Sequence, residues 1–160
     1  MAIRFTASID GAEIFDRAFS RLDSLDDMRP LWPNVIAEFY LIEQEQFDTE
    51  GAAGATGRWP ALSPAYKAWK DVHYPGEPIL QREHDLIASL TDPEASGAIL
   101  RPGEDELIMG TSVPYALVHQ RRGRPPISFS ESQKRRIQKA LQRGLVRFVR
   151  EAGFEAREAA

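Results

Sequence analysis

The hydrophobic period of the chain changes near its N-terminus, and that change limits the folds open to it. Ile3, Phe5, Ala7 and Ile9 alternate with Arg4, Thr6, Ser8 and Asp10. A period of two marks a half-buried strand, and Asp10-Gly11 supplies the turn that closes it. Phe15, Ala18, Phe19, Leu22 and Leu25 then recur at helical spacing, which predicts a helix over about 12–25. Asp26 and Asp27 are suited to cap a second helix, with Pro30 and Pro33 tolerated only in its first turn. Leu31, Val35, Phe39, Ile42 and Gln46/Phe47 carry its largely apolar stripe to about residue 48.

Glycine and proline punctuate the middle. Thr49 to Gly57 holds three glycines at spacing three, yet no Gly-Lys-Ser/Thr follows to hold phosphate and magnesium. It reads as a flexible loop of small residues, a place for a contact that orders only on assembly. Trp59-Pro60-Ala61-Leu62-Ser63-Pro64-Ala65-Tyr66-Lys67-Ala68-Trp69-Lys70 comes next. Ser63 as N-cap and Pro64 at the first helical position start a short helix, with Tyr66, Trp69 and Lys70 on one side of it. Leu86, Ile87 and Leu90 predict another helix at about 83–91. Ala98–Arg101 and Leu107–Thr111 flank Pro102-Gly103-Glu104-Asp105-Glu106 and read as a hairpin. Val113 to Gln120 forms one or two helical turns, and Arg121 to Pro126 is extended. Ile127-Ser128-Phe129 is a further candidate strand. Ser130 and Gln133 make a capping box for a last helix over about 131–152, with Ile137, Leu141, Leu145, Phe148 and Val149 inward.

These elements predict one α+β domain over residues 1–160. It comprises a small antiparallel sheet of three or four strands packed with several helices, including a long second helix and a long basic C-terminal helix. Loop 49–58 is expected to be flexible and 153–160 to fray. A chain of 160 residues buries roughly 70% of its extended surface, enough for a core. Cysteine is absent, which excludes disulfides, thiol nucleophiles and cysteine-ligated zinc. No apolar run approaches the ~20 residues of a membrane span, and Met1 to Phe5 lacks the pattern of a signal peptide.

The formal charge of −4 conceals a polarity. Residues 1–50 carry 4 basic and 11 acidic side chains, residues 51–120 carry 5 and 9, and residues 121–160 carry 11 and 4. An acidic front and a basic tail point to an anionic partner for the tail, or to another copy's acidic region.

Three function classes compete. Catalysis has little to draw on: His73, His84 and His119 show no zinc-binding spacing, His84 and Asp85 point about 100° apart on a helix, and no Gly-x-Ser-x-Gly elbow occurs. No cofactor or metal is expected. Non-specific DNA contact draws on Arg121, Arg122, Arg124, Lys134, Arg135, Arg136, Lys139, Arg143, Arg147 and Arg150. Self-assembly draws on Trp59 and Trp69, which flank proline-rich turns beside the small-residue loop, where large aromatics stay partly exposed. Tyr115 and His119 lie four apart on one helix side; a packed, hydrogen-bonded histidine is the default there.

Trp59-Pro60-Ala61-Leu62-Ser63-Pro64-x-Tyr66-x-x-Trp69-Lys70, then Pro78-Ile79-Leu80-Gln81, then Leu86-x-x-Ser89-Leu90 resembles the phage virion morphogenesis family of tail-completion or neck proteins. Gly110-Thr111-Ser112-Val113-Pro114-Tyr115-Ala116-x-x-His119-Gln120 is similar to that family's second signature. Where family members usually show Thr-Gly before the leucine matching Leu86, this chain has Glu83-His84-Asp85, and the glycine after the His-Gln pair is delayed to Gly123. The resemblance implies a non-catalytic structural protein of the virion's head–tail junction, assembled in the host bacterial cytoplasm. It implies a ring of six or twelve copies between portal-side connector and tail-terminator proteins. In such a ring, region 121–150 of one copy is expected to face acidic helices such as 12–48 of its neighbour or of an adjoining ring, with Trp59 and its loop ordering against the connector or tail terminator. Packaged DNA is a further expected contact.

Overall fold

The computed structural model describes residues 1–6 and 27–151. The expected helix at 12–25, strand residues 7–9, the Asp10-Gly11 turn and the tail 153–160 lie outside the described residues. Strand β1 (Ala2–Thr6) is followed by a 3-10 turn (Arg29–Leu31) and helix α1 (Trp32–Asp48). Helices α2 (Pro64–His73) and α3 (Asp85–Thr91) precede the hairpin β2 (Ala98–Pro102) and β3 (Glu106–Thr111). Helices α4 (Ala116–Arg121) and α5 (Glu131–Glu151) complete an α+β fold.

The sheet is antiparallel, with order β1-β3-β2. Ile3 and Leu100 sit opposite Met109 on either side, so one apolar row crosses all three strands. Helix α3 packs on β2 and β3 and also against α1, while α5 lies along α1. Helix α1 therefore sits between the sheet side and the C-terminal helix. Its stripe of Trp32, Val35, Phe39, Ile42 and Phe47 is buried, as helical spacing predicts. Pro33 falls in its first turn, where a missing N–H costs nothing. Gly144 allows the close approach of α5: a Cβ there would stand 2.8 Å from the Asn34 amide nitrogen and 3.0 Å from the Leu31 carbonyl. The Ser130–Gln133 capping box forms, with Ser130 N–H donating to Gln133 Oε1 at 2.9 Å and Gln133 N–H donating to Ser130 Oγ at 3.4 Å.

Ile127-Ser128-Phe129 is not a strand. Pro125 and Pro126 supply no amide donors, and this segment instead closes the end of α1. The Pro125 carbonyl accepts from the Trp59 indole at 3.2 Å and from Gln46 Nε2 at 3.4 Å. Ser128 Oγ accepts from Ala55 N–H at 3.1 Å, and the Phe129 ring meets Phe39 edge-on.

Loop 49–58 is built by its own hydrogen bonds. Gly51 N–H donates to the Gln46 carbonyl and Trp59 N–H to the Glu50 carbonyl, each at 2.8 Å. Trp59, expected to stay partly exposed until assembly, is a core residue at 3% exposure, edge-on to Phe47 at 5.4 Å between centroids. The backbone turns tightly beneath it at Gly51 (φ +87°), where a Cβ would stand 2.5 Å from the indole. Only glycine fits that corner.

One buried group runs against the pattern. Glu43 of α1 is fully buried, and neither carboxylate oxygen has a hydrogen-bond partner. Burial alone pushes its carboxyl well above the usual carboxylate range. The folded chain thus keeps a proton that the unfolded chain gives up, so this group's contribution to stability is most favourable at low pH and falls as pH rises from the ordinary carboxylate range toward the raised folded value. Glu43→Met is expected to raise stability by about 1–3 kcal/mol at neutral pH and to flatten that slope. Thermal unfolding followed by circular dichroism across about pH 4 to 8 reads both effects.

Candidate functional site

Helix α2 starts as its sequence dictates, with Ser63 Oγ accepting the Tyr66 N–H at 3.4 Å and Pro64 at the first position. Lys70 is its only buried residue. The Lys70 ammonium donates to the Pro78 carbonyl and, at 2.8 Å, to the Glu77 carbonyl. Burial lowers its proton affinity, opposed by the nearby carboxylates of Glu77 and Glu50. Glu50, which also accepts from Ile79 N–H at 3.1 Å, is held below the usual range by its hydrogen bonds to Arg58 and Ile79. One lysine and one glutamate thereby fasten the 77–79 backbone beneath α2.

The outer face of α2 is an aromatic stack left open to solvent. Tyr66 and Trp69 lie with centroids 5.6 Å apart and planes at 19°, and Trp69 and His73 at 4.5 Å and 21°. His73 Nδ1 lies 2.7 Å from the Trp69 carbonyl, which fixes it as the protonated ring nitrogen. Tyr74 leans on Trp69, and the Arg82 guanidinium sits 5.4 Å from the Tyr74 ring centre. Trp69 is 40% exposed and Val72 77%.

The other signature segment stands across a cleft from this helix. The Arg124 guanidinium, just after α4, donates to the Pro60 carbonyl at 2.8 Å and the Ala61 carbonyl at 2.7 Å. Between them lies an open cleft of about 640 Å³. Leu62, Ser63, Tyr66 and Lys70 form one wall, Tyr115, Val118, His119, Arg122 and Arg124 the other, and Leu80, Arg82 and Glu83 close the end. Residues some fifty positions apart in sequence thus share one site. His119 packs edge-on against Tyr115, with centroids 5.8 Å apart, but its buried Nδ1 has no hydrogen-bond partner. The expected hydrogen bond is missing at that nitrogen, and burial followed by the charges of Arg124 and Arg122 lowers its proton affinity. Gln120 is exposed on α4, and Pro64 serves as the helix start.

The basic residues do not form one surface. Arg136 bridges Glu38, at 2.8 Å, and Glu45 of α1, and Arg143 reaches Glu38 at 3.2 Å. These acidic partners belong to the same chain, so Arg136 and Arg143 are already paired before any second copy approaches. Lys134 pairs with Glu131 at 2.7 Å, one turn back. Lys139, Arg143, Arg147 and Arg150 line a shallow groove of about 540 Å³ along α5, whereas Arg122 and Arg124 belong to the cleft. Arg121 and Arg135 are exposed elsewhere. Sequence reasoning missed Arg82 and Glu83 as site residues. They reach the cleft through a loop in which Leu80 and His84 adopt left-handed backbone conformations, for which non-glycine residues give no sequence signal.

Among the described residues, no group of three His, Cys, Asp or Glu side chains is arranged to hold a metal ion. No helix of the described residues is long and apolar enough to cross a membrane. Comparison with protein-family models, curated proteins and solved structures found no match.

Lys70→Met keeps the aliphatic bulk and removes both hydrogen bonds to the 77–78 carbonyls. The change is expected to cost about 1–3 kcal/mol and to speed amide exchange selectively in residues 64–73. Thermal melts and hydrogen–deuterium exchange together test the anchor.

Proposed function

We propose that this chain is a structural virion protein of the phage head–tail junction. It joins copies of itself in a ring of six or twelve between the capsid connector and the tail. The observation that carries the reading is helix α2, which buries Lys70 alone while Tyr66, Trp69 and Val72 face solvent. Large aromatics on a rigid exposed helix are favoured anchors of protein interfaces. The two segments that resemble the virion morphogenesis family, 59–70 and 110–120, meet at the cleft beside that helix. Both the resemblance and the exposed surface favour assembly over catalysis.

A second reading, non-specific contact with DNA, draws on the cationic groove of Lys139, Arg143, Arg147 and Arg150. A surface of that kind gives affinity that falls steeply with salt and carries no sequence preference. In a ring, the same groove can face packaged DNA.

Native mass spectrometry of the purified chain tests the reading. A closed ring of identical subunits is expected. Trp69→Ala is expected to keep the parent melting temperature within a few degrees and to weaken assembly about tenfold or more. A chain that stays monomeric at all accessible concentrations while binding random DNA with a steep salt slope overturns the ring reading and leaves the second.

A further inference from the structure

The cleft and the β2–β3 hairpin tip are unlike surfaces with matching chemistry. Leu62, Leu80 and Val118 are the apolar side chains of the cleft lining, alongside the Tyr66 and Tyr115 rings. Its charge is cationic. Arg124 is held by two backbone carbonyls, so its hydrogen bonds leave the charge unneutralised, and Arg122 beside it is exposed. The Arg82 guanidinium pairs with Glu83 at the far end. Neither the Arg122 nor the Arg124 guanidinium is ion-paired among the described residues, and together they create a positive field at the mouth, which also disfavours a proton on His119.

The hairpin tip has the opposite character. Pro102, Glu104 and Asp105 are exposed at the turn, giving an apolar ring followed by two carboxylates. The tip is rigid. The Trp32 indole donates to the Gly103 carbonyl at 2.7 Å, and Met28 N–H donates to the Glu104 carbonyl at 2.6 Å. The Glu104 side chain lies 3.6 Å from Arg29 yet remains 69% exposed. A preorganised tip loses little conformational freedom on docking.

The two features stand at opposite ends of β3. The strand leaves the tip at Glu106 and ends at Thr111, four residues before Tyr115 of the cleft. Six residues of extended chain separate them by about 20 Å. A tip therefore does not reach its own cleft, and a second copy is the source of the match.

We infer that the β2–β3 hairpin tip of one copy seats in the cleft between α2 and α4 of the next, with Pro102 on its apolar side chains and Asp105 and Glu104 against Arg122 and Arg124. This inference rests on the ring reading and specifies its interface. Each copy carries one tip and one cleft, so the contact is head-to-tail, and repetition closes a ring when the rotation between neighbours allows. The opposed charges fix the register and orientation of neighbours.

The absence of cysteine from the chain makes the contact directly readable. Asp105→Cys and Val118→Cys are prepared separately, each at an exposed position, and each is checked for the parent melting temperature. Mixed under oxidising conditions, or with a short bis-maleimide, the two variants are expected to yield a covalent dimer containing one of each. Neither variant alone is expected to yield it at comparable rate. Arg122→Glu is expected to weaken assembly about tenfold or more, with recovery when Asp105→Arg is added to the same chain. Rings without the mixed dimer and without charge-swap recovery overturn this contact and leave the ring reading standing. A mixed dimer and recovery with only open chains in the native mass spectrum support the contact and overturn the ring. Monomers with neither signal overturn both.

Discussion

The packing of α1 is the constraint from which the rest of the structure follows. Its 17 residues pack against α3, α5 and the 3-10 turn. Trp32 at its start holds the hairpin tip through Gly103, and Phe39 in its middle meets Phe129. Phe47 at its end meets Trp59. Its outer side supplies Glu38 and Glu45 to Arg136. Because both ends of α1 are tied to loops, the hairpin tip and the entry to α2 are held relative to one core. The cleft inherits that rigidity: Arg124 grips the chain at Pro60 and Ala61, immediately after the buried Trp59.

Periodic segments were legible in the sequence because burial imposes a repeat. The α1 stripe, the hairpin and the α5 capping box all stand where spacing placed them. Residues governed by backbone partners were not legible. Ile127 to Phe129 has the composition of a strand, but it follows two prolines, and its Ser128 hydroxyl and Phe129 ring are engaged by Ala55 and Phe39 instead. Trp59 has the context of an exposed anchor, yet the glycine corner at Gly51 makes a slot for it. Lys70 shows the same limit in reverse: a lysine on an exposed helix becomes its one buried residue because two carbonyls of the following loop converge on its ammonium. Nothing in local sequence announces that convergence.

The charge polarity was visible, but its meaning was not. Part of the basic C-terminal region is neutralised at home, by Glu38 and Glu45 on the neighbouring helix. The other basic side chains of the region are dispersed, with Lys139, Arg147 and Arg150 along the α5 groove, Arg122 and Arg124 at the cleft, and Arg121 and Arg135 exposed elsewhere. Segment totals cannot distinguish these fates, since pairing depends on which helix faces pack together. The distinction matters for assembly: a charge already satisfied within the chain contributes little to the attraction between copies.

We propose that copies join at the cleft and the neighbouring aromatic face of α2 rather than along the basic side chains of α5. Hydrogen–deuterium exchange of the assembled chain against the chain diluted to monomer measures this most directly. Slower exchange on assembly is expected around 102–105 and within 62–70 and 115–124, with 139–150 unchanged. Protection confined to 139–150, with the cleft segments exchanging at monomer rates, would contradict it.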